Sequence, residues 1–257
     1  MLALSSIAKN FGGLQVLRGF NLSVPARGIF GLIGPNGAGK TTVFNLITGL
    51  LAPSAGTIEF AGHRLNGWAP HRITRAGIAR TFQNIRVFKE MTVMENVLVA
   101  LGERRHYGAR QIFFPGRQIR MLEQREREQA REVLARVGLA AKSDSLAGQL
   151  SYGEQRRLEI ARALATEPKL LLLDEPAAGM NSAEKQQLMG EVVKLGEAGL
   201  GIMIIEHDMR FVMGLCERIT VLNFGEVIAE GTPDEIRAND AVVEAYLGQD
   251  ETEPAAS

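Results

Sequence analysis

Residues 34–41 read Gly34-Pro35-Asn36-Gly37-Ala38-Gly39-Lys40-Thr41 and match G-x-x-x-x-G-K-[ST], the pattern of a phosphate-binding loop. A short apolar run precedes the loop at 28–33, and residues 42–50 carry apolar side chains at helical spacing. These flanks predict a strand, the loop and a helix in that order, which a Gly-rich turn closed by a surface lysine would not require. We therefore predict that the chain binds a nucleoside triphosphate.

The residue types of the loop indicate what each position does. Its glycines allow backbone angles that turn successive N–H groups toward an anion, and the following helix adds its positive end. Lys40 is expected to reach the β- and γ-phosphates, and Thr41 to supply a hydroxyl to Mg²⁺. The predicted nucleotide-binding set in this stretch is Gly34, Pro35, Asn36, Gly37, Ala38, Gly39, Lys40, Thr41 and Thr42.

Composition limits the class of protein. The chain has 257 residues, enough for one large domain or two small ones. Lys and Arg together number 29, as do Asp and Glu, so no overall field attracts nucleic acid and we expect no such partner. The N-terminus lacks a basic region before an apolar core, and no stretch of about 18 apolar residues occurs. The chain is therefore expected to be neither secreted nor membrane-spanning by itself.

Hydropathy patterning divides the chain into regions. Alternating or apolar runs predict a β-rich opening, with strands at 2–7, 20–24, 28–33 and 57–60. A helical pattern follows from Glu95 to about Leu150, interrupted by a loop-like stretch at 102–116, and one helical face carries Ala130, Val133, Leu134 and Val137. Apolar runs at 170–173 and 201–205 are typical of parallel strands buried on both faces. The sequence thus predicts an α/β protein with an inserted helical lobe.

Two carboxylates follow the apolar run at 170–173. Asp174 and Glu175 would lie at the carboxyl end of a central strand, where open α/β sheets bind their ligands. We expect Asp174 to hold Mg²⁺, directly or through water, and Glu175 to orient or deprotonate the water that attacks the γ-phosphate. A strand-ending Asp-Glu pair is weak evidence alone, but a phosphate loop earlier in the chain makes it strong.

The segment Leu150-Ser151-Tyr152-Gly153-Glu154-Gln155 separates the possible classes of nucleotide-binding protein. It resembles L-S-G-G-Q, the signature of ATP-binding cassette (ABC) proteins, and Ser151, Gly153 and Glu154 are the nucleotide-binding positions that the resemblance implies. An ordinary helix start, with Ser151 as N-cap and Glu154 completing a capping box, explains the same residues, and both interpretations can hold together. In the family, this helix start points at the γ-phosphate held by a second subunit.

Further family motifs occur in the expected order. By resemblance, Phe11 stacks on adenine, Gln83 touches Mg²⁺ and the attacking water, and His207 hydrogen-bonds the γ-phosphate. Each would be unremarkable alone: a lone Phe is more often in the core, a lone Gln in a loop, and a His after a strand is often a cap. Asn181 stands where many relatives carry aspartate, so the resemblance implies a hydrogen-bonding role for its turn rather than a charge-dependent one.

The resemblance implies the fold and its divisions. We expect a P-loop NTPase (RecA-like) core with an N-terminal antiparallel β subdomain and an inserted α-helical subdomain. One ABC ATPase domain would span 1–238, with the nucleotide-binding core at 1–86 and 151–238 and the helical subdomain at 87–150. A C-terminal helix and a frayed tail would occupy 239–257.

The stretches 31–48, 80–99 and 155–180 are similar to ATP-binding subunits of bacterial branched-chain amino acid importers. The charged segment 102–131 and the ending 231–248 resemble the longer of the two paralogous ATPases that such importers use. This resemblance implies a paralogous or identical ATPase partner, two membrane permease subunits, an indirect periplasmic binding protein, and a peripheral location on the cytoplasmic face of the inner membrane. Relatives for urea import or lipopolysaccharide export share much of the sequence. A soluble ABC ATPase fits less well, because neither a second phosphate loop nor sustained heptads occur. An unrelated phosphoryl-transfer enzyme fits less well, because a small-molecule kinase would not need the segment 150–155.

Overall fold

The computed structural model describes the backbone over 1–102 and 117–250 and the side chains over 1–102 and 121–246. The strands are β1 (Leu2–Phe11), β2 (Leu14–Val24), β3 (Gly28–Ile33), β4 (Ala55–Phe60), β5 (His63–Arg64), β6 (Ile78–Arg80), β7 (Leu170–Asp174), β8 (Gly201–Ile205), β9 (Arg218–Asn223) and β10 (Glu226–Gly231). The helices are α1 (Lys40–Ile47), α2 (Pro70–Ala76), α3 (Val93–Gly102), α4 (Arg117–Arg136), α5 (Tyr152–Ala165), α6 (Ser182–Glu197), α7 (Met209–Leu215), α8 (Pro233–Arg237) and α9 (Asp240–Asp250).

A six-stranded sheet in the order β10-β9-β3-β8-β7-β6 forms the centre of the molecule. Its neighbours pair in parallel except β9 and β10, which pair antiparallel at one edge. Strands β3, β7 and β8 are buried along their whole length because both faces of the sheet are covered. This arrangement confirms the strands predicted at 28–33, 170–173 and 201–205, and the P-loop α/β class of the fold.

A smaller antiparallel sheet, in the order β2-β1-β4-β5, packs over one face of the central sheet through α1 and a shared apolar cluster. The strands predicted at 2–7 and 20–24 were too short, since β1 and β2 run on to a tight connection at the pair Phe11 and Leu14. Register shifts between Leu4 and Lys9 interrupt the alternation of side chains. The alternation that predicts a strand is therefore lost before β1 ends.

The helical lobe lies on the opposite face. The side chains of Ala130, Leu134 and Val137 on α4 are fully buried, and Val133 packs against the same cluster, which confirms the predicted helical face. This cluster is continuous with Leu171 and the other side chains on that face of β7. Helix α5 packs against both α3 and α4, so the lobe and the central sheet share one core.

Some predictions concern residues that the structure does not describe or boundaries that it does not test. The interruption predicted at 102–116 and the tail predicted after α9 fall largely in 103–116 and 251–257, outside the described residues. The division into a core at 1–86 and 151–238 and a helical subdomain at 87–150 stays a prediction.

Candidate functional site

The phosphate loop connects β3 to α1, in the order that the sequence predicts. Gly34 has φ of 149°, and a Cβ there would lie 1.9 Å from the Leu222 carbonyl oxygen, so only glycine fits. Gly39 has φ of 109° and forms the N-cap of α1. The turn between β9 and β10 also stabilises the loop, because the Gly225 N–H donates to the Ala38 carbonyl at 3.1 Å. The N-terminus of α1 therefore opens directly into the loop, the arrangement that binds anionic groups.

Lys40 is the cation of this loop and is 8% exposed. Its Nζ donates to the carbonyl oxygens of Gly34 at 2.6 Å and Pro35 at 2.9 Å. Burial lowers the pKa of Lys40, and the charges of Glu175 and Asp174 oppose that shift. The loop lysine and the two strand-end carboxylates thus share one electrostatic environment, as the motifs predict.

Three predicted catalytic residues from different loops meet at the carboxyl end of β7. Gln83 Nε2 donates to Glu175 Oε2 at 2.8 Å, and His207 Nδ1 lies 3.9 Å from the same oxygen. Glu175 has φ of 46°, a left-handed conformation that costs a non-glycine residue about 1 to 3 kcal/mol. Because its N–H donates to the Ile205 carbonyl at 2.9 Å, the end of β8 fixes this conformation.

Asp174, predicted as a metal ligand, is buried and already has a cationic partner. Arg80 Nη2 donates to Asp174 Oδ2 at 2.7 Å, and both side chains are almost fully buried. The Asp174 N–H lies 3.4 Å from the hydroxyl oxygen of Thr81. Arg80 begins the stretch 80–99 named above, but the sequence patterns predict no role for it. A charged residue ending the short apolar strand β6 was the available signal.

Glu206 is a second residue that sequence reasoning missed. It is 1% exposed, and its Oε1 accepts from the Ala177 N–H at 2.8 Å. Its Oε2 accepts from the His207 N–H at 3.1 Å and lies 3.4 Å from the Asp208 nitrogen. The carboxylate therefore ties the turn after Glu175 to the turn that carries His207.

Two further missed residues lie on α5 and hold the backbone beside Gln83. Arg156 is fully buried, and its guanidinium donates to the carbonyl oxygens of Phe82 at 2.5 Å and Gln83 at 2.7 Å. Glu159 accepts from the Phe82 N–H at 3.2 Å and from Arg156 at 3.0 Å. Burial raises the pKa of Glu159, and these hydrogen bonds oppose the shift. The helix that begins after Ser151 is thereby joined to the loop of Gln83.

The segment that resembles the family signature forms the start of α5. Ser151 Oγ accepts from the Glu154 N–H at 3.3 Å, and Glu154 Oε2 accepts from the Ser151 N–H at 3.0 Å. This confirms the predicted capping box. Gly153 faces α6 closely, since a Cβ there would lie 2.7 Å from Glu184 Oε1. Asn181 caps α6 through the N–H groups of 183 and 184, which is a hydrogen-bonding role.

Phe11 lies at the end of β1, in the tight connection to β2. It is 45% exposed, which leaves part of its ring surface open to a ligand. Lys9 Nζ lies 4.8 Å from the ring centroid. The core position that a lone phenylalanine would more often occupy is therefore not the one observed.

The residues predicted to hold Mg²⁺ carry the oxygen donors that this ion prefers, although they do not supply all of its ligands. Thr41 supplies an exposed hydroxyl, Asp174 a carboxylate and Gln83 an amide oxygen, all of which are the hard oxygen donors that Mg²⁺ prefers. Arg80 engages only Oδ2 of Asp174 among the contacts of the described residues, so Oδ1 is the oxygen available to a metal-bound water. Bound Mg²⁺ would also need the phosphate oxygens of the nucleotide.

Comparison with known proteins identifies the family. The family model for the ABC transporter matches residues 17–178, and that for the branched-chain amino acid ATP-binding cassette transporter matches residues 226–252. The chain is 44% identical to the high-affinity branched-chain amino acid transport ATP-binding protein BraF of Pseudomonas aeruginosa, over 97% of this chain and 98% of BraF. The chain therefore belongs to the ABC transporter family, as an ATP-hydrolysing cassette.

Solved structures agree with this assignment. The ADP conformation of MJ1267, an ATP-binding cassette of an ABC transporter, matches with a TM-score of 0.83 and 33% identity, over 96% of this chain and 98% of that one. A dimeric structure of MJ0796, a bacterial ABC transporter cassette, matches with a TM-score of 0.76 and 27% identity, over 91% of this chain and 99% of that one. Within the described residues, we find no helix long and apolar enough to cross a membrane.

The contact between Gln83 and Glu175 generates a prediction about hydrolysis. Glu175→Gln should retain ATP binding while slowing hydrolysis by about 10²- to 10⁴-fold, because the amide cannot accept a proton from water. Fluorescent-nucleotide titration measures the binding, and phosphate release measures the turnover.

Glu128→Gln, at an exposed position of α4, is the matched control and should hydrolyse ATP like the wild type. Turnover near the wild-type rate in Glu175→Gln would remove Glu175 from the catalytic role.

Proposed function

We propose that this chain is the ATPase subunit of a bacterial importer for branched-chain amino acids. The observation that carries the proposal is the match of residues 226–252 to the branched-chain amino acid cassette family, because ABC motifs elsewhere are shared by cassettes of many substrates. The 44% identity to BraF over nearly the whole chain supports the same substrate class.

Each predicted site residue receives a role in ATP hydrolysis. Phe11 stacks on adenine, residues 34–42 surround the phosphates, and Lys40 neutralises their charge. Glu175 accepts the proton of the attacking water while Gln83 and His207 orient the water and the γ-phosphate. The hydrogen bond from Gln83 to Glu175 and the 3.9 Å separation of His207 from Glu175 support one shared reaction centre.

Mg²⁺ would neutralise charge on the β- and γ-phosphates when bound. Thr41, Asp174 and Gln83 are the residues that would hold it, together with phosphate oxygens. To hold the metal, these three side chains must keep a fixed spacing around the phosphate loop. Their positions on α1, on β7 and after β6 make that spacing depend on the parallel sheet.

A second subunit completes each site in this proposal. The N-terminus of α5, with Ser151, Gly153 and Glu154, would lie over the γ-phosphate held by the partner, where the positive end of the helix dipole stabilises negative charge. The partner is an identical or paralogous ATPase, and the dimeric structure of a related cassette supports such pairing. ATP binding would close the pair, and hydrolysis would reopen it.

The remaining partners follow from the importer class. Two transmembrane permease subunits would bind the ATPase pair at the cytoplasmic face of the inner membrane, and a periplasmic binding protein would deliver the substrate to them. The ATPase is then peripheral, and its own sequence does not contact the transported amino acid. Nucleic acid has no part in this cycle.

The experiment is uptake of labelled leucine, isoleucine, valine and urea in a deletion strain. Wild-type protein should restore uptake of the three amino acids, and Lys40→Ala should not, because it removes the cation of the phosphate loop. Western blotting should show equal amounts of both proteins. Restored uptake of urea alone, or of none of the four, would contradict the amino acid assignment and leave the cassette ATPase in place.

The surface next to Gln83 supports a docking site for the permease. Phe88 is 45% exposed, and the Arg162 guanidinium lies 4.6 Å from its ring centroid. Its backbone is fixed, because the buried side chain of Asn96 accepts from the Phe88 N–H and donates to the Phe88 carbonyl, both at 2.9 Å. A rigid backbone that presents an aromatic ring to solvent is suited to an interface. Val87 and Met91 would complete its apolar lining.

Phe88→Asp should abolish transport while ATP hydrolysis by the purified subunit is retained, because a charge would be desolvated at the permease contact. Phe88→Leu keeps an apolar side chain and is expected to transport. Uptake and phosphate release are measured on the same variants. Wild-type transport by Phe88→Asp would exclude this surface as the coupling contact.

A further inference from the structure

The geometry points to Arg80 as a positioning residue for the metal-binding carboxylate: it fixes Asp174 by one oxygen and links it to the phosphate-loop helix. This inference rests on the proposed ATPase function. It assigns a role to a side chain that neither the family motifs nor the site residues above include.

Arg80 bridges two elements of the site. One guanidinium nitrogen, Nη2, donates to Asp174 Oδ2 at 2.7 Å. The other, Nη1, donates to Asn45 Oδ1 at 2.7 Å and lies 3.4 Å from the hydroxyl oxygen of Thr48. Asn45 is on α1, the helix that begins with Lys40, and Thr48 is its C-cap. The guanidinium therefore spans from the phosphate-loop helix to the end of β7.

The anchors of Arg80 make this bridge rigid. Its backbone belongs to β6 and pairs with Leu172 of β7, two residues before Asp174. Its guanidinium carbon lies 5.4 Å from the ring centroid of Phe44 and 5.1 Å from that of Phe82, so aromatic rings limit its rotation. Because the contact to Asn45 does not involve Asp174, it anchors Arg80 independently of the carboxylate.

Two features argue against a purely stabilising ion pair. The Arg80 Nε hydrogen is buried without an acceptor among the described residues, which is unfavourable for folding. A buried ion pair is also weak evidence for stability, since desolvation offsets the attraction. Arginine does have one property that lysine lacks, a planar fork that can hold two acceptors in fixed directions.

The charge of Arg80 and its orienting effect on Asp174 predict opposite changes in metal affinity when Arg80 is removed. A guanidinium beside Asp174 repels a divalent cation, so removing it would tighten metal binding if charge dominated. If orientation dominates, removing it leaves the carboxylate unfixed and weakens binding, as loss of an outer hydrogen-bond partner commonly does by about 10- to 100-fold. The double anchoring to Asn45 and Asp174 favours orientation, and we therefore expect weaker binding.

The test measures the metal directly. Mn²⁺ is titrated into full-length protein with a non-hydrolysable ATP analogue, and free Mn²⁺ is followed by electron paramagnetic resonance. Arg80→Met should bind Mn²⁺ about 10- to 100-fold more weakly than wild type, with unchanged affinity for the analogue when no metal is present. The magnesium concentration that gives half-maximal ATP hydrolysis should rise in parallel.

Arg80→Lys keeps the buried positive charge, so it decides the question if Arg80→Met does not fold. A lysine ammonium cannot hold both acceptors in the same plane, and we expect Mn²⁺ binding weaker than in wild type and stronger than in Arg80→Met. Mn²⁺ binding equal to or tighter than wild type in whichever variant folds would overturn the inference.

Glu191→Gln is the matched control, because Glu191 on α6 forms another largely buried ion pair, with Arg157 on α5 at 3.2 Å. It should bind Mn²⁺ like the wild type, and an equal loss of Mn²⁺ affinity in Glu191→Gln would also overturn the inference.

Asp174→Asn distinguishes a failure of the inference about Arg80 from a failure of the metal-site assignment. If wild type hydrolyses ATP and Asp174→Asn weakens Mn²⁺ binding while Arg80 variants do not, only the inference about Arg80 fails. If Asp174→Asn has no effect, the metal-site assignment fails.

Discussion

The site depends on one constraint of the parallel sheet, the alignment of strand ends. Strands β3, β6, β7 and β8 run in the same direction, so the chain leaves each of them at the same edge. The phosphate loop follows β3, Gln83 follows β6, and His207 follows β8. Because the strands themselves are buried on both faces, polar groups are tolerated only where the strands end. The sheet therefore concentrates the polar residues at a single edge.

Keeping those polar groups fixed requires further buried polar groups. Glu206 joins the turns after β7 and β8, and Arg156 with Glu159 holds the loop of Gln83 against α5. Apart from the contact of Glu206 with the adjacent His207 N–H, these contacts join residues that lie 29 to 77 positions apart. The helix that begins after Ser151 is thereby linked to the loop of Gln83 by its own side chains.

The sequence predicted what is encoded in short, local patterns. The phosphate loop, the apolar strands and the capping box at Ser151 each involve residues within a few positions of one another. The length of β1 and β2 was missed because bulges break the alternation between Leu4 and Lys9. Arg80 was missed because its partners lie 35 and 94 positions away, and pairings at that distance leave no periodic signal.

The most direct test of the account is a structure of the Glu175→Gln transporter complex saturated with ATP and Mg²⁺. We expect each γ-phosphate bound by this chain to lie about 3 Å from the Lys40 Nζ of the same chain and from the N-terminus of the signature helix of the opposing ATPase subunit. A γ-phosphate contacted by Ser151 of the same chain, or by no second subunit, would contradict it.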